Sequence, residues 1–113
     1  MPWWWPLGKV PEVEAHELNN RLEKGEPIQL MDVRTRTEYD YGHIAGAINA
    51  PIASLKHRLD SLQLDPTRPV VTICKTAHRS IPATRLLRQR DFEAAQLAKG
   101  MDQWRQERLS VEK

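Results

Sequence analysis

The chain carries a single cysteine, Cys74, and its neighbours are the kind that a nucleophilic thiol needs. Cys74 follows directly on Val70-Val71-Thr72-Ile73 and precedes a helical pattern that opens at Ser80. In a strand–loop–helix connection, successive backbone N–H groups converge on one point, and the helix N-terminus adds a positive dipole end. Lys75, His78 and Arg79 lie in the same loop, and the first acid after Cys74 is Asp91. Such surroundings stabilise an anionic sulfur and favour a reactive thiolate. The same cradle accommodates a sulfonate, a sulfate or a persulfide. The competing reading is an inert thiol packed at a strand end as a small hydrophobe. The basic loop and the helix start weigh against it.

Asp32 and Arg34 close the apolar run from Ile28 to Val33. Asp32 is read either as an active-site acid or as a brace for the loop, with bracing the better fit. His43, between Gly42 and Ile44, is read as a hydrogen-bonded structural histidine, because attack by a thiolate requires no general base. His16 and His57 fall at exposed helical positions. One cysteine and scattered histidines assemble no metal site, and no cofactor is expected.

The elements that must position these residues follow from periodicity. Glu14 to Lys24 places Leu18 and Leu22 at helical spacing and stops at Gly25, a C-terminal cap. Ile28 to Val33 reads as a buried strand, Thr37 to Tyr41 as a short helix stopped by Gly42, and Ala47 to Ala50 as a second strand closed by Pro51. Ile52, Leu55, Leu59 and Leu62 share one side of a helix over 52–62. Pro69 to Ile73 is the clearest strand: β-branched throughout and without alternation, as expected when both sheet faces are covered. Ser80 to Arg90 is a helix with Pro82 in its first turn, where proline is tolerated. Ala94 to Ala98 is a weaker strand, and Asp102 to Arg108 a final helix. Strands alternating with helices over short connections imply a parallel sheet with helices on both faces. Ligands in such sheets bind beyond the carboxyl ends of the strands, which points to Asp32 and Cys74.

The 113 residues suffice for one domain, with 40% hydrophobic and 28% charged residues, as in ordinary globular chains. A net charge of +2 without aromatic residues interleaved among basic ones argues against nucleic acid. A lone cysteine forms no internal disulfide, so nothing ties the chain to an oxidising compartment. No run is long enough for a membrane span, and the N-terminus lacks a basic leader and an apolar core, so the cytoplasm is the expected location. We divide the chain into a Trp/Pro-rich segment over 1–10, a domain over 11–109 and a tail over 110–113. For Trp3, Trp4 and Trp5 the sequence offers three readings: packing back on the domain, a partner-docking patch, or an anchor at a membrane interface.

Cys74-Lys75-Thr76-Ala77-His78-Arg79-Ser80 resembles the active-site loop C-x-x-G-x-R-[ST] of the rhodanese family. Met31-Asp32-Val33-Arg34, Glu38-Tyr39 and Gly42-His43-Ile44-Ala45-Gly46-Ala47-Ile48-Asn49 are similar to the family's D-V-R…E-[YF]…G-H-I-x-G-A-[IV]-[HN] stretch. Leu97-Ala98-Lys99-Gly100-Met101-Asp102-Gln103-Trp104 resembles its L-x-G-G-x-x-x-W. The pieces occur in the family's order from Pro11 to Arg108. The resemblance implies an α/β rhodanese-like fold, with a parallel sheet of about five strands flanked by helices on both faces. It also implies a single-domain sulfurtransferase working through a cysteine persulfide. Phosphatase-like members have a loop longer by one residue, with arginine six places after cysteine. Here Arg79 stands at the fifth place and Ser80 at the sixth, which favours sulfur over a bulkier phosphoryl group. Two positions depart from the pattern: Ala77 replaces the loop glycine, and Lys99 replaces the first glycine of the C-terminal motif. If position 77 requires positive φ, alanine is strained there by roughly 1 kcal/mol.

On this reading Cys74 attacks the outer sulfur of thiosulfate or a persulfide donor and passes it to a thiol, cyanide or a protein acceptor. Backbone N–H groups from Lys75 to Ser80, through Thr76, Ala77, His78 and Arg79, stabilise the persulfide anion. Arg79 holds the anionic donor or braces the loop, with a structural salt bridge to Asp32 as the alternative. Lys75 and His78 either raise the local potential or are simply solvated. With no second cysteine, the persulfide is discharged by an external nucleophile. The alternative function is a weakly active or non-catalytic binding or regulatory module of the same fold, motivated by Ala77 and the tryptophans. A phosphate- or arsenate-ester enzyme is disfavoured by loop length.

Overall fold

Val70–Ile73 is buried along its whole length because a layer of helices covers each face of the sheet that it centres. The computed structural model describes residues 10–113. Trp3, Trp4 and Trp5 lie outside the described residues, as does most of the segment assigned to 1–10. Five parallel strands, β1 (Glu12–Val13), β2 (Gln29–Asp32), β3 (Ile48–Asn49), β4 (Val70–Ile73) and β5 (Ala94–Leu97), lie in the order β1-β5-β4-β2-β3. Among the described residues, four α-helices connect them, α1 (Ala15–Glu23), α2 (Arg36–Tyr41), α3 (Ile52–Arg58) and α4 (Ser80–Gln89), and α5 (Gly100–Gln106) follows β5. The expected α/β architecture with about five parallel strands is what the chain adopts. Among the described residues, no helix is long and apolar enough to cross a membrane.

Alternation along the strands sorts the core into two halves. Leu30, Val71 and Ile73 pack with Ala15 and Leu18 of α1, Met101 and Trp104 of α5, and Tyr39 of α2. Met31, Val70 and Cys74 point the other way, onto Leu55 of α3 and Ala83 and Leu87 of α4. From β2 the chain runs outward to β3, whereas from β4 it runs the opposite way to β5. The order therefore reverses between β2 and β4, where Asp32 pairs in register with Ile73. A crevice beyond the strand ends at such a switch point is where α/β sheets bind ligands.

Several boundaries differ from the sequence reading, each for a local reason. The helix expected over 52–62 ends at Arg58 and gives way to a 3-10 turn over Asp60–Leu62. The Ser61 hydroxyl donates to the Arg58 carbonyl (2.7 Å), the group that would otherwise continue the α-helical ladder. The last helix starts at Gly100, two residues early, because the cysteine loop supplies acceptors for its first N–H groups. Strand β1 was not placed at all. Its two residues carry no periodic signal, and they are strand only because Glu12 and Val13 sit against Gln96 and Leu97 of β5. Glu112 exchanges backbone hydrogen bonds with His43 (2.8 Å each way), so the segment 110–113, expected as a tail, touches the domain there.

Candidate active site

Cys74 emerges from the end of β4 and is buried, with 1% of its surface exposed. The chain after it turns back over the sulfur, so that the Ala77 N–H donates to Cys74 Sγ at 2.9 Å. That turn needs a left-handed backbone, and Ala77 has φ +84°. The condition set out from the sequence is met: alanine occupies a position suited to glycine. Lys75, Thr76 and His78 are exposed on the loop's outer rim, Ala77 and Arg79 are half-buried, and Ser80 is buried at the start of α4. Of the loop residues singled out from the sequence, Ala77 is the one whose backbone N–H is directed at the buried sulfur.

We expect Ala77→Gly to relieve strain of about 1–2 kcal/mol and to lose about 0.5–1 kcal/mol through added freedom of the unfolded chain. The net expected effect is a stabilisation of between zero and about 1.5 kcal/mol. Urea unfolding at unchanged m-value measures it. A loss of stability would show that the loop gains nothing from a glycine there.

Three arrangements support the loop and the strand end beside it. First, Met101 and Asp102, in the first turn of α5, donate their N–H groups to the carbonyls of Cys74 (2.8 Å) and Lys75 (3.0 Å). These bonds satisfy donors that a helix start would otherwise leave open. Lys75 Nζ adds an exposed ion pair to Asp102 at 2.9 Å, so Lys75 is neither simply solvated nor directed at the sulfur. Thr76 Oγ1 lies 2.9 Å from His78 Nδ1 on the same rim.

Second, Arg79 grips α2. Its two terminal nitrogens donate to Glu38 Oε1 and Oε2 at 2.6 and 2.8 Å, a bidentate pair. Glu38 is itself held by a capping box in which the Thr35 N–H donates to Oε1 at 3.0 Å. The salt bridge from Arg79 to Asp32 proposed as an alternative is not formed. Arg34 follows Asp32 by two residues and takes both its carboxylate oxygens, and Arg79 pairs across the crevice with Glu38 instead. The Arg79 hydrogen bonds, outweighing partial burial, hold the Glu38 carboxyl at about 2, well below its ordinary 4.5. The same pairing, with a smaller contribution from Cys74, raises Arg79 above its usual value.

Because the folded value of Glu38 is depressed, its contribution is fully present above pH 4.5 and is lost as pH falls toward 2. After allowance for solvent around a pair that is about one-third exposed, that contribution is on the order of 1–2 kcal/mol. Unfolding free energy measured between pH 5 and pH 2 should therefore fall less steeply in Glu38→Gln than in wild type. Parallel pH profiles would contradict this assignment.

Third, Asp32 and Arg34 brace the neighbouring strand end. Asp32 is fully buried and accepts from Arg34 Nε (2.9 Å) and a terminal nitrogen (2.7 Å) as well as from the Arg34 backbone N–H (3.1 Å). Arg34 continues to the Gly42 carbonyl (2.9 Å), and Asn49 Nδ2 donates to the carbonyls of Asp32 and Arg34. With its oxygens committed in this way, Asp32 has the geometry of a brace. His43 stacks on Tyr39 (3.7 Å between centroids) with Nδ1 2.8 Å from the Tyr39 carbonyl, as expected of a structural histidine. His16 and His57 are exposed on α1 and α3.

Sequence reasoning missed Glu38 as the partner of Arg79, although the T-x-x-E spacing of a capping box marks its helix start. It also missed a buried polar chain behind the loop. Ser80 Oγ lies 2.6 Å from Gln96 Oε1 and 3.1 Å from the Ala77 carbonyl, and Gln96 Nε2 donates to Glu12 at 2.9 Å. Thr72 and Thr84 share a hydrogen bond of 2.7 Å beside it. No periodicity marks these residues, because they are joined only when β1, β5 and α4 assemble.

A buried sulfur with a backbone N–H directed at it and an arginine close by can hold negative charge on sulfur. Comparison with known proteins addresses the fold and the family. The chain is 43% identical over 98 residues to an HTH-type transcriptional regulator of Mycobacterium tuberculosis, covering 85% of this chain and 42% of the regulator. It is 29% identical over 103 residues to a sulfurtransferase of Allochromatium vinosum, covering 90% of this chain and 94% of that protein. The crystal structure of a rhodanese-related protein from Thermoplasma volcanium superimposes with a TM-score of 0.82 at 25% identity, covering 90% and 97% of the two chains. The chain spans only 25% to 60% of the length of three further curated relatives. The model of the rhodanese-like domain matches residues 14–107, from the start of α1 to the end of α5 and across every part of the crevice. With fold, loop and sequence match in agreement, the chain belongs to the rhodanese-like domain family.

Proposed function

We propose that the protein is a sulfurtransferase that moves sulfane sulfur from thiosulfate or a persulfide donor to a thiophilic acceptor, through a persulfide on Cys74. The observation that carries this reading is the Ala77 N–H on Cys74 Sγ, at the floor of a loop rimmed by Lys75, Thr76 and His78. The Cys74 thiolate attacks the outer sulfur of thiosulfate. A new S–S bond forms, the old one breaks, and sulfite leaves with its electron pair. The persulfide's terminal sulfur carries the negative charge, and loop N–H donors stabilise it as they would an oxyanion. Cyanide, a small thiol or a protein thiolate then attacks that sulfur, and the Cys74 thiolate leaves, which restores the enzyme without a net change of oxidation state in the protein. Thr76 to Ser80 supply the cradle, Arg79 stays braced on Glu38 beside the sulfur, and Asp32 and Arg34 keep the adjoining strand end in register. A lone thiol used in this way suits a reducing compartment such as the cytoplasm.

Burial of Cys74 and strain at Ala77 favour a second reading, a binding or regulatory module that retains the fold. Thiocyanate release from thiosulfate and cyanide, compared between wild type and Cys74→Ser, separates the two. Turnover that vanishes in the serine variant is the expected result. Absence of turnover in folded protein with a free thiol would leave the binding module as the better account.

A further inference from the structure

A groove lies at the end of the sheet away from Cys74, where β4 and β5 begin. Val13, Leu18, Ile28, Val71 and Ala95 wall it, and its volume of about 510 Å³ falls in the range of sites that hold a small organic group. Val70, on its lining, is separated from Cys74 by the length of β4, about 13 Å. The walls are continuous with the core, since Val13, Leu18, Ile28 and Val71 pack in one cluster with residues of α1 and α5. The charged lining is balanced, Arg21 and Arg88 against Glu12 and Glu93. Balanced charge draws neither an anion nor a cation. Apolar walls with exposed carboxylates beside them suit a flat apolar group that carries an N–H donor, and an arginine packs well on the face of such a group. An indole meets both conditions.

The chain brings indoles to this place. The described chain begins at Val10, which is buried and lines the groove beside Pro11. Trp3, Trp4 and Trp5 precede it, and the stretch from Trp5 to Val10 reaches at most about 17 Å. A tether this short gives an effective concentration of about millimolar, at which modest apolar contact suffices. The segment enters β1, a two-residue strand at the edge of the sheet, and a covered edge is protected from pairing with other chains. We propose that the groove is the seat of this chain's own Trp3-Trp4-Trp5, which closes the core beside α1 and covers the start of β1. The proposal is independent of the sulfurtransferase reading, because groove and sulfur lie at opposite ends of β4.

Nuclear Overhauser contacts in the full chain test it. Ring protons assigned to Trp3, Trp4 or Trp5 should contact the methyl groups of Ala95 and Val71 within one molecule. A thermal-unfolding cycle is the second measurement. Trp3→Ser/Trp4→Ser/Trp5→Ser should lower the melting temperature by about 5 °C. Ala95→Lys, which sets an ammonium at a half-buried position of the groove wall, should lower it by a similar amount. Combined, the changes should lower it little further, because Ala95→Lys acts by displacing the same indoles. The contacts are read on wild type, so they decide the matter should Ala95→Lys not fold. Missing contacts, or losses that add, would overturn the proposal. Contacts that pass only between labelled and unlabelled chains in a mixture would also overturn it, giving the seat to a second copy. So would indole emission that shifts to the blue on phosphatidylcholine vesicles while the groove contacts are missing, which gives the segment to a membrane.

Discussion

Gly100→Ala should unfold at markedly lower denaturant than wild type and should disorder the cysteine loop. Gly100 opens α5 at φ +61°, and a Cβ added there would lie 2.4 Å from the carbonyl oxygens of both Cys74 and Lys75. Those oxygens belong to the backbone of the loop and are held by the N–H groups of Met101 and Asp102, so neither can rotate aside. Relief requires α5 to separate from the loop, which breaks the two bonds that fasten it. Overpacking of this kind costs about 1–3 kcal/mol, and a left-handed alanine adds about 1 kcal/mol. A destabilisation of about 3 kcal/mol is expected, which for a domain of this size lowers the melting temperature by about 10 °C. Thermal and urea unfolding measure it directly. A variant within about 0.5 kcal/mol of wild type would show that α5 and the loop are not locked together as described.

Asp32→Ala should be at least as damaging, by a different route. The substitution leaves the Arg34 guanidinium, 5% exposed at its side chain, with the Gly42 carbonyl as its one remaining acceptor among those described. Removing one member of a buried ion pair costs about 3–5 kcal/mol, because the remaining charge has lost its compensation. That is a large part of the 5–15 kcal/mol typical of a whole domain. Replacing both partners, as in Asp32→Leu/Arg34→Met, should recover much of the loss, since no charge then remains buried. Denaturant unfolding of Asp32→Leu, Arg34→Met and the double variant forms a cycle that reads the coupling. Additive losses would contradict the pairing.

Much of this architecture was legible because it depends on short-range patterns. The unbroken β-branched run at Val70–Ile73 signals a strand covered on both faces, and Gly25 follows α1 with φ +78° as a C-terminal cap should. Cys74 at that strand's end, before a helix start, marks the site without reference to any contact. Positive φ at position 77 is raised only as a condition by the glycine of the resembling motif, and the backbone adopts it. What was not legible depends on chain segments far apart in sequence. Arg79 and Glu38 are 41 residues apart, Gln96 and Glu12 are 84 apart, and β1 exists only as an edge against β5. The choice of Glu38 over Asp32 as the partner of Arg79 turned on Arg34 reaching Asp32 first, which composition and spacing do not reveal.

The central claim is that Cys74 accepts a sulfur atom. Intact mass of the reduced protein after incubation with thiosulfate alone tests it most directly, because it requires no acceptor and no turnover. The account predicts one added sulfur on wild type, removed by cyanide or a thiol, and none on Cys74→Ser. An unchanged mass in folded protein whose thiol is free, or an adduct that persists in Cys74→Ser, would contradict it.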